Sequence, residues 1–285
     1  MKIKIRFIIV KFKSLYKTTN MSGFQRNNLE KFYTKQDIAK KCVDIFINTI
    51  NPDENDIIIE PSAGTGSFSD YLKDKFPNTF AYDLVPEKSY ILQQDYLQFS
   101  LPTGVIEKKH VIGNPPFGRQ SQLVRKFVKK SAEFADTISF ILPKSFKKQS
   151  FKKAFPLKYH LKHQIELPNN SFTINGKPHN VPCVFQIWEL KNSPRPIALK
   201  PQPIFYKFVK KTDENVDFSI RRVGGTAGKL DSNYQSKSSS SHYFITLDPM
   251  ISKEGFTEKY NKLVFETNNT VGPKSISKPE LISKI

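Results

Sequence analysis

The chain has 285 residues, 38% of them hydrophobic, enough for one sizeable core or for one domain plus a small second one. Its 45 Lys and Arg against 26 Asp and Glu leave a net charge of +19, which points to a polyanionic partner, nucleic acid first, although a lysine-rich, AT-biased coding sequence raises lysine too. Two distant cysteines, Cys42 and Cys183, exclude a disulfide framework and leave too few ligands for a structural zinc, so no metal is expected, and no run reaches the roughly 18 apolar residues that a membrane span needs.

Residues 1–24 read as a basic arm. MKIKIRFIIVKFKSLYK has no acid, and its apolar run Phe7–Val10 is too short for a signal-peptide core. Met1 and Met21 both make sensible starts. The free cysteines and the missing signal core together imply an intracellular setting, cytoplasm or nucleus, with a viral source compatible.

Residues 25–195 read as one α/β domain. Ile38, Cys42, Ile45 and Phe46 share a face and predict a helix over 35–48, with Thr34 as its N-cap and Pro52 beyond its end. Asp56–Glu60 is a short apolar strand that runs into Pro61-Ser62-Ala63-Gly64-Thr65-Gly66 and a helix containing Tyr71 and Leu72. Thr79–Asp83 is a second strand ending in an acid. Tyr90–Leu92 is a weak third, followed by Gln93-Gln94-Asp95-Tyr96. His110–Gly113 is a strand that delivers Asn114-Pro115-Pro116-Phe117. Leu123, Val124, Phe127, Val128 and Ala132 predict a helix over 120–135. Thr137–Leu142, a continuous apolar run, reads as a buried strand, and Leu161–Leu167 and Cys183–Leu190 as further strands. Strands alternating with helices predict a Rossmann-like, doubly wound, mostly parallel sheet. Composition shifts at Ser193-Pro194-Arg195-Pro196. Residues 196–285 are expected to be a small C-terminal extension, irregular or appended, with a role in nucleic-acid recognition.

Consecutive prolines donate no backbone hydrogen bond and fix their own φ, so Asn114–Phe117 is a rigid extended turn. Asn114 Oδ1 and the Pro115 carbonyl can accept two hydrogens from a planar amine, and Phe117 can stack on the ring. Alone, this turn leaves adenine, cytosine, guanine and glutamine open, or an ordinary loop after a strand.

The turn after Glu60 sits where open α/β sheets bind ligands, and Gly64 and Gly66 allow a close backbone approach. It lacks the third glycine of G-x-G-x-x-G and any Gly-Lys-Ser, which argues against a phosphate loop. Glu60 would repel phosphate and favour a cationic ligand. Asp83, 17 residues past Gly66, suits a ribose diol. Asp95 can accept from an adenine amine, with Tyr96 or Leu97 beside the ring. Singly, each acid reads equally well as a solvated turn residue; together they describe a pocket for a cationic nucleoside.

From Thr137 to Ile165 there is no acid, while Lys144, Lys147 and Lys148 lead a series of seven lysines. That segment, with Arg119, is expected to hold phosphates beside the pocket. Arg221-Arg222-Val223-Gly224-Gly225 is a further candidate contact to nucleic-acid backbone or base.

The ordered series EPSAGTGSF, AYD, QQDYLQF and HVIGNPPFG resembles the S-adenosylmethionine-dependent amino-methyltransferases. It is most similar to the DNA adenine-N(6) methyltransferases whose cofactor motif precedes the catalytic one. Phe32-Tyr33-Thr34 resembles that family's N-terminal motif, although Lys35 stands where the family often has proline. TISFILPKSF resembles its fifth-strand motif, and Phe172 in NNSFTINGK matches a later aromatic that flanks the target base. The resemblance spans about residues 31–190. It implies a class I methyltransferase fold with S-adenosylmethionine as cofactor, held by Thr34, Glu60, Pro61, Ala63, Gly64, Gly66, Asp83, Asp95, Tyr96 and Asn114. Asn114, Pro115 and Phe117 would be catalytic. Pro116, Arg119, Lys144, Lys147, Lys148 and Phe172 would contact a base flipped out of DNA. RNA bases are the alternative substrate, then protein glutamine, for which NPPY is more usual; a binding module without activity is the reading from another class. With few residues left for target recognition, a protein partner could supply it.

Overall fold

The computed structural model describes residues 32–102, 104–197, 202–265 and 273–285. The expected basic arm and both candidate start methionines lie outside them. The chain divides into two compact units, 1–142 with 150–195, and 143–149 with 196–285.

In the first unit, β1 (Tyr33–Thr34) leads into α1 (Gln36–Ile50). Thr34 is therefore a strand residue rather than the expected N-cap: Lys35 takes that position, with no side-chain capping bond. Ile38, Ala39, Cys42, Val43 and Phe46 form the buried stripe of α1, and Asn51, at φ 51°, closes the helix in the left-handed conformation. Then follow β2 (Ile57–Glu60), α2 (Ser69–Leu72), β3 (Thr79–Asp83), β4 (Leu92–Gln93), β5 (Lys109–Gly113), α3 (Gln122–Ser131), β6 (Thr137–Pro143), α4 (Gln149–Lys152), β7 (Tyr159–Glu166), β8 (Phe172–Ile174), β9 (Lys177–His179) and β10 (Cys183–Leu190).

Seven strands form one sheet in the order β4-β3-β2-β5-β6-β10-β7. The pairs β4–β3, β3–β2, β2–β5 and β5–β6 are parallel, and β10–β7 is antiparallel. The chain winds outward from β2 in one direction and from β5 in the other, so this is a Rossmann-like, mostly parallel sheet with its switch point between those strands. All seven residues of β6 are buried, as a strand covered on both faces requires. A small separate sheet, β1-β8-β9, was not anticipated. Its hairpin turns at Asn175 and Gly176, with φ of 49° and 74°. Asn-Gly is the strongest short-range hairpin signal, so that hairpin was readable.

In the second unit, expected to be either appended or irregular, the chain forms a folded sheet. The strands β11 (Tyr206–Val209), β12 (Phe218–Arg221), β13 (Leu230–Asp231) and β14 (His242–Leu247) pair antiparallel in the order β11-β14-β12-β13. Helices α5 (Lys253–Asn261) and α6 (Lys278–Ile282) complete it. Phe218, Ile220, Ile245, Phe256, Tyr260 and Leu281 belong to its core. Short strands with few apolar alternations hid this sheet from a periodicity reading.

Candidate active site

The carboxyl ends of β2 and β5 flank the switch point, where an open parallel sheet leaves a crevice. After β2 the chain turns through Gly64 and Gly66, at φ of 52° and 76°. Pro61 and Ala63 are buried in this turn. The Ala63 N–H donates to the Tyr82 carbonyl (2.9 Å) and the Gly66 N–H to the Ala63 carbonyl (2.6 Å). Asp83 Oδ2 accepts from the Gly64 N–H and Oδ1 from the Val85 N–H, both at 2.8 Å. Asp83 thus braces the glycine turn against β3, and each oxygen has a second lone pair for a diol.

Two tyrosines cover the glycines. A Cβ on Gly64 would lie 3.4 Å from the Tyr33 ring, and one on Gly66 only 2.0 Å from Tyr90 Oη. Tyr33 Oη donates to Glu87, and Tyr90 Oη to Asp70 (2.6 Å). An open depression of about 710 Å³ lies beside the turn, lined by Tyr33, Thr34, Gln36, Thr65 and Glu87 among others. Tyr90 was not among the expected site residues. Its contact with Gly66 joins positions 24 residues apart and leaves no local signal.

Glu60 does not stand open to a ligand. It is 2% exposed, and its Oε2 accepts the Ser69 N–H at 2.8 Å, capping α2 from the end of β2. Burial pushes its carboxyl up to about 7, against the lowering hydrogen bonds from Ser69 and Phe68. A Cβ on Gly113 would lie 3.4 Å from Glu60 Cγ, so the end of β5 is shaped around this acid.

Asn114 follows directly. Its Nδ2 donates to the Phe32 carbonyl (3.2 Å), and its own carbonyl accepts from Ser62 Oγ (3.2 Å). Among the described residues, Oδ1 is buried without a hydrogen-bond partner. A buried acceptor left unpaired is costly, and a donor from water, an ion or a ligand would relieve it. Pro115 is buried and Pro116 half-buried. Phe117 is 7% exposed, and its carbonyl accepts from the Leu123 and Val124 N–H groups, fixing the start of α3. Between them, Gly118, Gln120 and Ser121 all have positive φ (67°, 53° and 60°). The double-proline turn is therefore held at both ends, by Phe32 and by α3.

The other expected residues separate. Asp95 is half-buried and its Oδ1 caps the Leu97 N–H (2.9 Å). Tyr96 is 1% exposed, hydrogen-bonded to Ser131 Oγ (2.8 Å) and stacked between Phe99 and Phe127. It is a core residue and does not stand beside a ligand ring; Leu97, half-buried, is the more accessible neighbour. Phe172 is fully buried and edge-on to Phe32. It supports Phe32, which stacks on the exposed His179 (5.3 Å, 22°), rather than offering a face of its own. Thr34 is buried, with its carbonyl accepting from Ser67 Oγ (3.2 Å). Arg119 is exposed, as is Lys147, while Lys144 is half-buried. Lys148 is engaged within the second unit, where it pairs with Glu280 (3.1 Å) and donates to the Ser275 carbonyl (3.1 Å).

No family model matches the chain. Over 189 residues, 62% of this chain, it is 27% identical to Protein ENHANCED DOWNY MILDEW 2 of Arabidopsis thaliana, and the match spans 14% of that protein. A provisionally described RNA methyltransferase from Pyrococcus horikoshii superposes with a TM-score of 0.45 at 16% identity, covering 67% of this chain and 100% of that one. The methyltransferase subunit of a type I restriction-modification system from Streptococcus thermophilus superposes with a TM-score of 0.42 at 18% identity, covering 57% of this chain and 45% of that one.

Proposed function

We propose that the chain is an S-adenosylmethionine-dependent methyltransferase acting on the exocyclic amine of a nucleic-acid base, adenine in DNA before any other. The observation that carries this reading is Asn114. Its amide nitrogen is tied to the Phe32 carbonyl, which fixes the orientation of the amide and leaves Oδ1 buried and, among the described residues, unpaired. A rigid, desolvated acceptor beside a proline carbonyl suits an amino group attached to a flat ring.

The residues fit the cofactor. Gly64 and Gly66 hold left-handed conformations in a turn that carries no Cβ of its own at these positions and packs against Tyr33 and Tyr90, and Asp83 presents a carboxylate already oriented by two backbone N–H groups. When bound, S-adenosylmethionine supplies a methyl group activated by its sulfonium. The adenine amine is a poor nucleophile because its lone pair is delocalised into the ring. Asn114 Oδ1 and the Pro115 carbonyl would accept its two hydrogens, favour a pyramidal nitrogen and stabilise the positive charge that develops there. Phe117 would close one wall of the base pocket. The proton leaves to solvent afterwards, so no strong base is required. A base inside a duplex must first be extruded.

Incubation of the purified protein with S-adenosylmethionine and duplex DNA, single-stranded DNA or RNA, followed by nucleoside mass spectrometry, tests this. The expected product is 6-methyladenine in DNA. Methylated RNA without methylated DNA would move the substrate to RNA, and no methylated base in any arm would overturn the reading.

A further inference from the structure

We propose that a cleft in the second unit, built around Arg221 and Lys229, binds a phosphodiester of the nucleic-acid substrate. The inference rests on the nucleic-acid reading above and adds to it a contact remote in sequence from the double-proline turn.

The cleft arises from strand register. Arg221 stands opposite His242 in the β12–β14 ladder. On its other side, one step past the β12–β13 pairs, the Arg221 N–H donates to the Lys229 carbonyl (2.9 Å). Three basic residues therefore stand abreast on adjacent strands, and all three line one cavity of about 380 Å³. Two of the three, Arg221 and Lys229, are cations on neighbouring segments of the sheet, and like charges brought together in this way favour an anion between them.

The wall's own acid is engaged first by Lys237, with only a weaker pull from Lys229. Asp231 pairs with Lys237 at 2.7 Å and is held below the usual carboxylate range, chiefly by that lysine and by the Asn233 N–H. Among the described residues neither Arg221 nor Lys229 forms an ion pair. Arg221 is aimed by its Nε, which donates to the Val223 carbonyl at 2.8 Å. Gly224, at φ 95°, would place a Cβ 3.6 Å from the guanidinium, so glycine there leaves room beside the fork. The serine loop, with Ser236, Ser238 and Ser241, lines one side of the cavity, and the Ser236 and Ser241 hydroxyls hold its shape by donating to the Asn233 and Ser238 carbonyls. His242 Nδ1 pins that loop, 3.2 Å from the Ser238 carbonyl and 3.0 Å from Ser241 Oγ. A guanidinium fork and an ammonium around one cavity form a donor set that holds phosphate without reading sequence.

Fluorescence anisotropy of the full chain with a short labelled oligonucleotide, DNA or RNA, over a salt series tests this, with S-adenosylmethionine binding measured in parallel by calorimetry. Arg221→Ala combined with Lys229→Ala should weaken binding about tenfold and lower the salt slope by about one for each lost phosphate contact, with cofactor affinity unchanged. Lys262→Ala, at an exposed lysine elsewhere in the unit, is the control for net charge. If the double variant lowers thermal stability, Lys229→Ala alone, at an exposed position, must still reduce the slope. Equal losses in variant and control, an unchanged slope, or preference for anionic vesicles over both oligonucleotides would overturn the site. A wild-type chain that binds oligonucleotide through the cleft yet neither binds nor uses S-adenosylmethionine would overturn the function instead.

Discussion

The two ends of the main sheet treat buried polar groups in opposite ways. At the amino ends of β2, β5 and β6, Asp56, His110 and Thr137 form a closed chain: His110 Nε2 lies 3.0 Å from Asp56 and Nδ1 lies 2.8 Å from Thr137 Oγ1. At the carboxyl ends, Asn114 keeps a buried oxygen without a partner among the described residues, and Gly118, Gln120 and Ser121 beyond it hold left-handed conformations. A buried network that is satisfied stabilises; one left incomplete is kept for something else. The comparison separates residues that should matter to folding from residues that should matter to chemistry.

The largest expected effect lies at the carboxyl end. Asn114→Ala should lower methyl transfer by about a hundred- to a thousandfold, by analogy with removal of one preorganised polar group from other active sites. Its thermal midpoint should stay near wild type, because only the bond to Phe32 is lost, worth roughly 1 kcal/mol. A large drop in melting temperature would break the comparison. Gly118→Ala should affect both properties: its Cβ would meet Leu123 Cβ at 2.7 Å, and φ is 67°. The strain is about 1–3 kcal/mol, read by chemical denaturation, with transfer reduced alongside. Asp56→Ala at the other end should cost about 1–3 kcal/mol by leaving His110 without its partner. Turnover per folded molecule should not change; loss of turnover would mean that the amino end takes part in the chemistry.

The smallest effects are opposite slopes with pH. Glu60, at about 7 when folded against an ordinary 4.5, holds a proton between those values that the unfolded chain has released, so its contribution to stability falls as pH rises through that window. Burial holds His110 below 6.5, against the raising pull of Asp56. Its contribution is complete above that value and is lost as pH falls. Glu60→Gln should therefore gain on wild type as pH rises towards 7, and His110→Gln should gain as pH falls below 6.5. Thermal midpoints over this range decide, and curves parallel to wild type for either variant would refute the assignment.

The strands of the main sheet were legible because apolar runs such as TISFIL and CVFQIWEL admit little else. The double-proline turn was legible because proline restricts its own backbone and that of its predecessor. The acids were harder. Glu60, Asp83 and Asp95 each accept a backbone N–H, from a residue nine, nineteen or two positions away, and such bonds leave no mark in composition. Tyr96 looked like a pocket residue because it follows Asp95; its burial is decided by Ser131 and Phe127 on α3, more than thirty residues on. The second unit was illegible for a related reason: its strands are short, and its core assembles from residues spread between Tyr206 and Leu281.

The contact between Tyr90 and Gly66 has an evolutionary consequence. With 2.0 Å between Tyr90 Oη and the place a Cβ would take, the residue permitted at one position depends on the residue at the other. Tyr90→Phe would remove the closest atom, leaving an alanine at 66 to contend with the ring carbon at 3.1 Å, Ser69 Oγ at 3.2 Å and the left-handed backbone. Alanine at 66 should thus be damaging beside tyrosine and milder beside phenylalanine. In chains descended from a common ancestor, the two positions should change together or stay fixed together.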